Sequence, residues 1–515
     1  MPRSFAMTFC SQLTATNLWT TPANIFCSLP SLTSLNLSTN YLQEVSDLGM
    51  SPPSPTAPCL HTLKQLDLSF NKLSYLPARA FPHLYNLKQI WLEGNKMISL
   101  EDDSFSSLAS LEMINLAGNQ LVALPPDVWS DTTHLQEIYL QNNHLSVLAP
   151  GIFRHLDNLL VLNLSRNDLS DDWINRDTFQ GLVRLVALDL SDNHLSQLDG
   201  GVLQDLSSLQ ILDLQHNSLH TLSPHIFLSQ NNLHTLILSH NQITQVHNQA
   251  FAGLSVLSYL SIDHNKIQQL HPDVLSACTS LQDIALNSNK LTSLSWLQGA
   301  GAPLSLLRTL DVGENHISVM ADTSFDGLDN LYGLRLAGNR ISALTGSLLD
   351  RIPTVQVLNL AHNQLSTLQQ DTFVSLRKLN ALRLDDNQLT DINGLLTAQN
   401  ELRWLNVSAN KLQWFDYAFI PKNLEWIDLH HNQIDEIGNY YQLKDGFNLK
   451  TMDVSFNKIK KLSPSSFLTS LENIYLNNNQ IEEISTYTFL HMDNLSTVEL
   501  VENSLATLQL AAIAL

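Results

Sequence analysis

A short motif, L-x-x-L-x-L-x-x-N-x-L, recurs along nearly the whole chain and constrains its fold more than any other feature. Leu63 begins the segment LKQLDLSFNKL, and Leu87 begins LKQIWLEGNKM one period later. The asparagine of the motif returns mostly at steps of 24 residues, at Asn40, Asn71, Asn95, Asn119, Asn143, Asn167, Asn193, Asn217, Asn241, Asn265, Asn289, Asn315, Asn339, Asn363, Asn387, Asn410, Asn432, Asn457, Asn479 and Asn503. A fixed period of this kind indicates a repeat architecture.

The period and its leucines predict an α/β leucine-rich-repeat solenoid. We expect a curved horseshoe with a parallel β-sheet on its concave face and short helical or irregular segments on its convex face. Each L-x-L segment is a short strand whose leucines point inward and whose middle residue points outward. Because one repeat cannot fold alone, we predict a single solenoid of about 20 repeats over residues 29–505, between an N-terminal flank (1–28) and a C-terminal tail (506–515).

Two further columns of residues complete the predicted interior. The repeat asparagine can donate its amide to carbonyl groups of the adjacent turn, which satisfies buried backbone groups. Phenylalanines recur at one phase on the outer side, at Phe81, Phe105, Phe153, Phe179, Phe251, Phe325, Phe373 and Phe489. We expect these rings to stack as a spine.

Three segments break the 24-residue rhythm and predict loops at one edge of the solenoid, where binding sites are often built. They are the proline-rich loop Ser51–Pro58, the insertion Asp171–Arg176 and the insertion Trp296–Pro303. The candidate contacts in them are Asp171, Asp172, Trp173, Arg176 and Trp296. The alternative is surface variation without a dedicated site.

The charge of the chain bears on its partners. The formal net charge is −21, from 27 Lys+Arg against 48 Asp+Glu. A surface this acidic repels phosphate backbones, so we predict no nucleic-acid partner. No stretch approaches the roughly 20 apolar residues that a membrane span requires. Seven of the predicted outward strand residues are acidic, namely Asp67, Asp189, Asp213, Asp311, Asp428, Asp453 and Glu499, and only Arg335 and Arg383 are basic. This balance favours a basic protein partner, although the consensus LDLS accounts for part of it.

The cysteines and the sequons favour a secreted environment. Cys27 and Cys59 hold equivalent points of adjacent turns, and stacked strands are about 5 Å apart, so we predict a disulfide between them. Asn-x-Ser sequons occur at Asn36, Asn163, Asn406 and Asn494, and each is a predicted glycosylation site. The first three fall on outward strand positions, so their sugars would project from the sheet.

Histidine and aromatic residues supply the remaining candidates. His216, His240 and His264 precede the asparagine in three successive turns; they are a weak candidate for a metal site or a pH-sensitive column, and the alternative is a polar edge position. Trp404 and Trp426 share an outward phase in adjacent turns, with Tyr475 beyond them. Exposed aromatic residues favour a binding surface. A glycan at Asn406 would shield the tryptophans, and we then expect partners at the lateral edge.

Catalytic and nucleotide-binding motifs are missing from the sequence. HExxH, GxSxG, the P-loop pattern, GxGxxG and the EF-hand loop do not occur, and each would mark a defined chemistry. We therefore predict that the protein is not an enzyme and uses no cofactor.

Several blocks that the repeat does not require resemble the long-ectodomain Toll and Toll-like receptors of arthropods. They include DWINRDTFQGLVRLVALDLS, LDVGENHISVMADTSFDGLDNLYGLRLAGNRI, FDYAFIPKNLEWIDLHHN and LKTMDVSFNKIKKL. The resemblance extends over roughly residues 17–505. The family's signal peptide, cysteine-rich C-terminal cap, transmembrane span and TIR domain have no counterpart here. We therefore expect an ectodomain fragment, an incomplete gene model or a soluble decoy.

The resemblance implies an extracellular recognition domain at the plasma membrane. In the family, such a domain binds a Spätzle-type cystine-knot cytokine or a cell-surface protein. Binding brings two receptors together and triggers signalling in innate immunity or development. A leucine-rich-repeat adhesion protein without TIR signalling is the alternative function.

Overall fold

The computed structural model describes residues 9–48, 50, 59–298, 304–443 and 446–507. The proline-rich loop Ser51–Pro58, the end of the second insertion (299–303) and residues 508–515 of the tail lie outside the described residues. Contacts between Cα atoms divide the chain into two compact units, Met1–Ser261 and Ile262–Leu515. The predicted run of a single solenoid from residue 29 to residue 505 stays a prediction.

The first unit is built on a parallel sheet with one strand from each turn. Its described strands are Phe9–Gln12, Leu32–Asn36, Gln65–Asp67, Gln89–Trp91, Met113–Asn115, Glu137–Tyr139, Val161–Asn163, Ala187–Asp189, Ile211–Asp213, Thr235–Ile237 and Tyr259–Ser261. Two-stranded pairings lie outside this sheet, Tyr75–Leu76 with Ser99–Leu100 and Thr221–Leu222 with Gln245–Val246. Two 3-10 helices span Ile25–Ser28 and Val45–Leu48.

The second unit repeats the same parallel arrangement. Its described strands are Asp283–Ala285, Thr309–Asp311, Gly333–Arg335, Val357–Asn359, Ala381–Arg383, Trp404–Asn406, Trp426–Asp428, Thr451–Asp453, Asn473–Tyr475 and Thr497–Glu499. Phe415–Asp416 pairs with Ile437–Gly438, and Lys461–Leu462 pairs with Glu483–Ile484. The helices are short: 3-10 turns at Ser295–Gln298, Leu304–Leu306 and Tyr417–Phe419, and one α-helical turn at Gly346–Leu349. The predicted leucine-rich-repeat fold with its long parallel sheet is confirmed.

The asparagine ladder has the predicted geometry. Asn119 donates from Nδ2 to the carbonyl of Leu92 in the preceding turn (3.1 Å) and to that of Leu116 in its own turn (3.0 Å). Its Oδ1 accepts the backbone N–H of Met97 (3.1 Å). One buried side chain therefore satisfies backbone groups of two turns, which explains why no other residue type replaces it.

The residue before each ladder asparagine has a left-handed backbone. Its φ lies between 49° and 68° in every turn, from Thr39 to Glu502. Few side chains tolerate this region; glycine, asparagine, aspartate and histidine are enriched in it. The position accordingly holds Gly94, Asn142, Asp192 and His216 in different turns. The histidine column of the sequence is therefore first of all a response to backbone conformation.

The phenylalanine spine packs as stacked rings. Phe153 and Phe179 lie 6.3 Å apart between ring centroids, and both are buried. Phe227 joins the spine through Phe251 at 6.2 Å, and Trp129 continues it by stacking on Phe105 at 5.8 Å. Such parallel, offset rings pack favourably as well as burying apolar area.

The N-terminal turns of the first unit are held by two additional devices. Cys27 and Cys59 form a disulfide with a Cα–Cα distance of 4.5 Å. Trp19 stacks on Tyr41 (5.0 Å), and the ammonium of Lys72 lies 4.2 Å from the Tyr41 ring. Among the described residues, no helix is long and apolar enough to cross a membrane.

Candidate recognition surface

Each strand of three residues points two side chains outward, from its first and its third residue. The side chain of the third residue also stabilises the turn that follows the strand. Asp189 accepts the backbone N–H of Ser191, two residues further on, at Oδ1 (3.0 Å). Asn163 does the same for Ser165 (2.9 Å). Aspartate and asparagine favour such turns because their short side chains reach their own backbone. The acidic consensus LDLS and the sequon-like LNLS therefore have one physical origin.

The two basic residues of the sheet face are paired with neighbouring carboxylates. Arg335 lies 3.3 Å from Asp311. Arg383 forms a bidentate pair with Asp385, at 2.9 Å and 2.6 Å. Because these cations are already neutralised, the remaining outward acids give the face its net charge, which suits a basic partner.

Asp213 is the most strongly perturbed carboxyl of the first unit. Burial raises its pKa from 3.8 to about 6, and repulsion from Asp189 and Asp192 acts in the same direction. The backbone N–H of Gln215 and the ring of His216 act against this rise. The folded unit therefore disfavours the ionised form of this side chain at neutral pH.

We expect Asp213→Asn to stabilise the protein at pH 7 by about 1 kcal/mol, a value discounted for partial solvent exposure. The raised folded-state pKa means that the native protein binds a proton that the unfolded chain releases between about pH 4 and pH 6. The contribution of Asp213 to the free energy of unfolding of the wild-type protein therefore rises as the pH falls through 6. The stability advantage of the variant vanishes near pH 4. Thermal unfolding of both proteins at pH 7 and pH 4 checks this. A variant that is less stable at pH 7 would contradict it.

Trp404 and Trp426 form a stacked pair on the sheet face of the second unit. Their strands are in direct register, and their ring centroids lie 4.5 Å apart with an interplanar angle of 1°. Both rings are half-buried, so a broad aromatic surface stays open to solvent. Tyr475 lies on the same face two strands further on and is also half-buried. Large aromatic surfaces of this kind dominate the energetics of protein interfaces.

Asn406 does not meet the accessibility that a glycan there requires. The residue is only 8% exposed, between its register partners Arg383 and Asp428. Its Oδ1 accepts the backbone N–H of Ser408 (2.9 Å). The glycan at Asn406 stays a prediction, and the low exposure of this residue argues against it. Without sugar at Asn406, the tryptophan pair is open to a partner, and the sheet face is favoured over the lateral edge as the contact surface.

The other sequons differ in their access to solvent. Asn36 is half-buried and donates from Nδ2, the atom that carries a glycan, to Asp67 (2.9 Å). Asn163 is half-buried, whereas Asn494 lies exposed in a turn before the last described strand. Exposed turns are the usual context of an occupied sequon.

We expect Asn494 to carry a glycan and Asn406 to carry none. The physical reason is that the folded chain must leave room for the sugar, and Asn406 is 8% exposed whereas Asn494 is exposed. Glycopeptide mapping of protein secreted from insect cells behind a heterologous signal measures both sites. Asn494→Gln should reduce the glycan mass, whereas Asn406→Gln should leave it unchanged; the reverse result would contradict the expectation.

The three predicted histidines are placed differently. His216 and His240 stack face to face, with ring centroids 4.3 Å apart and an interplanar angle of 10°. The lone pairs of parallel imidazoles run side by side in the ring planes, so these two rings do not converge on one ion. His264 belongs to the second unit, where its Nδ1 lies 2.7 Å from Asp263.

The candidate contacts in the two insertions differ in their exposure. The carboxylate of Asp171 accepts the backbone N–H groups of Ser196 (2.7 Å) and Gln197 (3.2 Å), so it braces the next turn. Asp172, Trp173 and Arg176 are exposed. The expectation that Trp296 is a surface contact is wrong: it is 2% exposed within a 3-10 turn and fills the interior.

Two features of the surface were missed by the sequence analysis. An open groove of about 610 Å³ in the first unit is lined by Glu93, Asp189, Asp192 and Arg166 beside the ring of Phe70. In the second unit, Asp428, His430 and Asp453 bring ligand atoms within 4.8 Å of one another. The second cluster was visible in principle, because its outward acids are adjacent in register and a histidine follows one of them two residues later.

The leucine rich repeat family matches most of the chain, over residues 61–121, 133–195, 184–243, 231–291, 305–365, 353–412 and 447–505. The chain belongs to the leucine-rich-repeat family. A segment of 207 residues of this chain is 47% identical to Toll-like receptor 7 of Drosophila melanogaster. That match covers 40% of this chain and only 14% of the relative's length.

Solved structures support the same assignment at the level of the fold. One is the Drosophila Toll–Spätzle complex in its glycosylated form, at a TM-score of 0.67 and 20% identity, covering 83% of this chain and 61% of that chain. Another is the leucine-rich-repeat protein LIC12759 of Leptospira interrogans, at a TM-score of 0.61 and 27% identity, covering 78% of this chain and 89% of that chain. The predicted resemblance to Toll-type ectodomains is confirmed.

Proposed function

We propose that this chain is the extracellular protein-recognition part of a Toll-type receptor. It binds a cystine-knot cytokine of the Spätzle type, or another cell-surface protein, to trigger signalling across the plasma membrane in immunity or development. The observation that carries the proposal is the 47% identity over 207 residues to Drosophila Toll-like receptor 7. The repeat itself requires only the leucines and the asparagine, so identity at this level extends well into its variable positions.

The surface chemistry supports a protein ligand rather than a small molecule or a nucleic acid. The sheet face of the second unit presents the stacked Trp404–Trp426 pair, and the groove of the first unit is lined by more acids than bases. Aromatic rings provide contact area, and the net negative charge of −21 accelerates the approach of a basic partner. Recognition alone needs no catalytic group, so the proposed role is non-enzymatic.

A binding measurement with a purified Spätzle-type cytokine tests the proposal. The secreted chain is immobilised on a biosensor and titrated with the cytokine at two salt concentrations. We expect saturable binding whose association rate falls as salt is raised, because salt screens the attraction between unlike charges. Clustering of beads coated with this chain alone, without cytokine binding, would instead favour homophilic adhesion and overturn the proposal.

A further inference from the structure

The cluster of Asp428, His430 and Asp453 has the composition of a metal site. Asp428 and Asp453 are register partners on adjacent strands, and His430 follows Asp428 by two residues. One ligand atom from each residue lies within 4.8 Å of the other two. Two carboxylates and one imidazole form a donor set that suits Zn²⁺, which would keep one position open for water or another ligand.

The hydrogen bonds of the cluster leave one oxygen of each carboxylate available. Asp428 Oδ1 accepts the backbone N–H of His430 (3.0 Å), and Asp453 Oδ1 accepts that of Ser455 (2.9 Å). Among the described residues, neither Oδ2 accepts a hydrogen bond of this kind. Asp428 is only 7% exposed, so its unpartnered oxygen is held close to the surface of the sheet without full hydration.

The charge balance of the cluster also favours a cation. His430 Nδ1 lies 2.5 Å from Asp428 Oδ1, and no lysine or arginine pairs with either carboxylate in the described part of the chain. Two acids therefore face one imidazole. A cation that both the imidazole of His430 and the carboxylate of Asp428 bind takes the place of this short contact, with the imidazole neutral.

A second cluster in the same unit also consists of two aspartates and one histidine, but an arginine lies beside it. His362, Asp385 and Asp386 also bring ligand atoms within 4.8 Å. There, however, the guanidinium of Arg383 donates to both oxygens of Asp385. Because a fixed cation already occupies that carboxylate, a metal ion gains little by approaching it. The carboxylates of the first cluster are therefore open to a cation, whereas Asp385 of the second cluster is already neutralised by Arg383.

We propose that Asp428, His430 and Asp453 form a binding site for Zn²⁺ or a similar divalent transition metal on the sheet face of the second unit. The site lies beside the tryptophan pair, since Trp426 and Asp428 project from the same strand face. Side-chain rotations that draw the ligand atoms together complete the coordination. The proposal does not depend on the identity of the protein ligand.

Calorimetric titration of the metal-stripped chain with ZnCl₂ at neutral pH tests the proposal. We expect one saturable site that weakens at least about tenfold in His430→Ala and in Asp453→Asn, since each removes a ligand. Asp453→Asn keeps the Oδ1 acceptor for Ser455, and circular dichroism checks that both variants are folded. His362→Ala is the matched control and should leave the affinity within about twofold. Zinc uptake that is absent, or that falls equally in His430→Ala and His362→Ala, would overturn the proposal.

Discussion

Replacing Asn143 by alanine should lower the free energy of unfolding of the surrounding repeats by about 4 kcal/mol. Asn143 is 5% exposed. Its Nδ2 donates to the carbonyls of Leu116 and Leu140 (3.0 Å each), and its Oδ1 accepts the N–H of Leu121 (3.1 Å). Alanine leaves the N–H of Leu121 buried without a partner, which costs about 1–3 kcal/mol. The carbonyls of Leu116 and Leu140 keep Asn119 and Asn167 as donors, and the loss of the second hydrogen bond costs about 0.5–1.5 kcal/mol at each.

The adjacent residue provides the control for this substitution. Asn142 is exposed and has a φ of 59°, which glycine adopts without strain. Asn142→Gly should therefore change stability by less than about 1 kcal/mol. Hydrogen exchange of the flanking strands, compared with urea unfolding, measures the local effect, because repeat arrays need not unfold in one step. Equal destabilisation by the two variants would show that the ladder bonds are not the cause.

Removing the disulfide should have the second largest effect. The bond between Cys27 and Cys59 closes a loop with a sequence separation of 32 residues. By the chain-entropy relation, its loss destabilises the first repeats by about 3.5 kcal/mol. Each turn depends on its neighbours, so fraying at this end should spread into the next turns.

Thermal unfolding with and without a reducing agent measures this effect. The wild-type protein should lose stability on reduction, whereas Cys27→Ala/Cys59→Ala should start at the lower value and ignore the reductant. The variant therefore controls for effects of the reductant elsewhere. A wild-type protein whose unfolding is insensitive to reduction would contradict the account.

The sequence predicted the repeating elements well because they are determined locally. Leucines at a fixed period pack on the same leucines of the neighbouring turns. The amide of Asn119 donates to the backbone carbonyls of its own turn and of the preceding turn, so its role could be read from the repeat. The pairing of Cys27 with Cys59 followed from the same stacking of turns. The shared phase of Trp404 and Trp426 likewise placed the two rings next to each other.

The site was less predictable because exposure depends on residues distant in sequence. Trp296 lies in an insertion without a repeat phase, so nothing local showed that it folds inward. Asn406 occupies an outward strand position, but between its two neighbouring strands it is only 8% exposed. His216 looked like a candidate ligand because the left-handed backbone at its position was not recognised. These differences arise from tertiary contacts and backbone conformation rather than from residue type.

The most direct test of the proposed recognition role is the affinity of Trp404→Ala/Trp426→Ala for the Spätzle-type cytokine. If the stacked pair is the centre of the interface, the double variant should lose about 2 kcal/mol or more, roughly a 30-fold rise in Kd. Tyr440→Ala/Tyr441→Ala is the matched control, because these rings are 84% and 69% exposed in a loop of the same unit. We expect a large loss of affinity for the tryptophan variant and an unchanged Kd for the tyrosine variant. Unchanged binding by a folded tryptophan variant would contradict it.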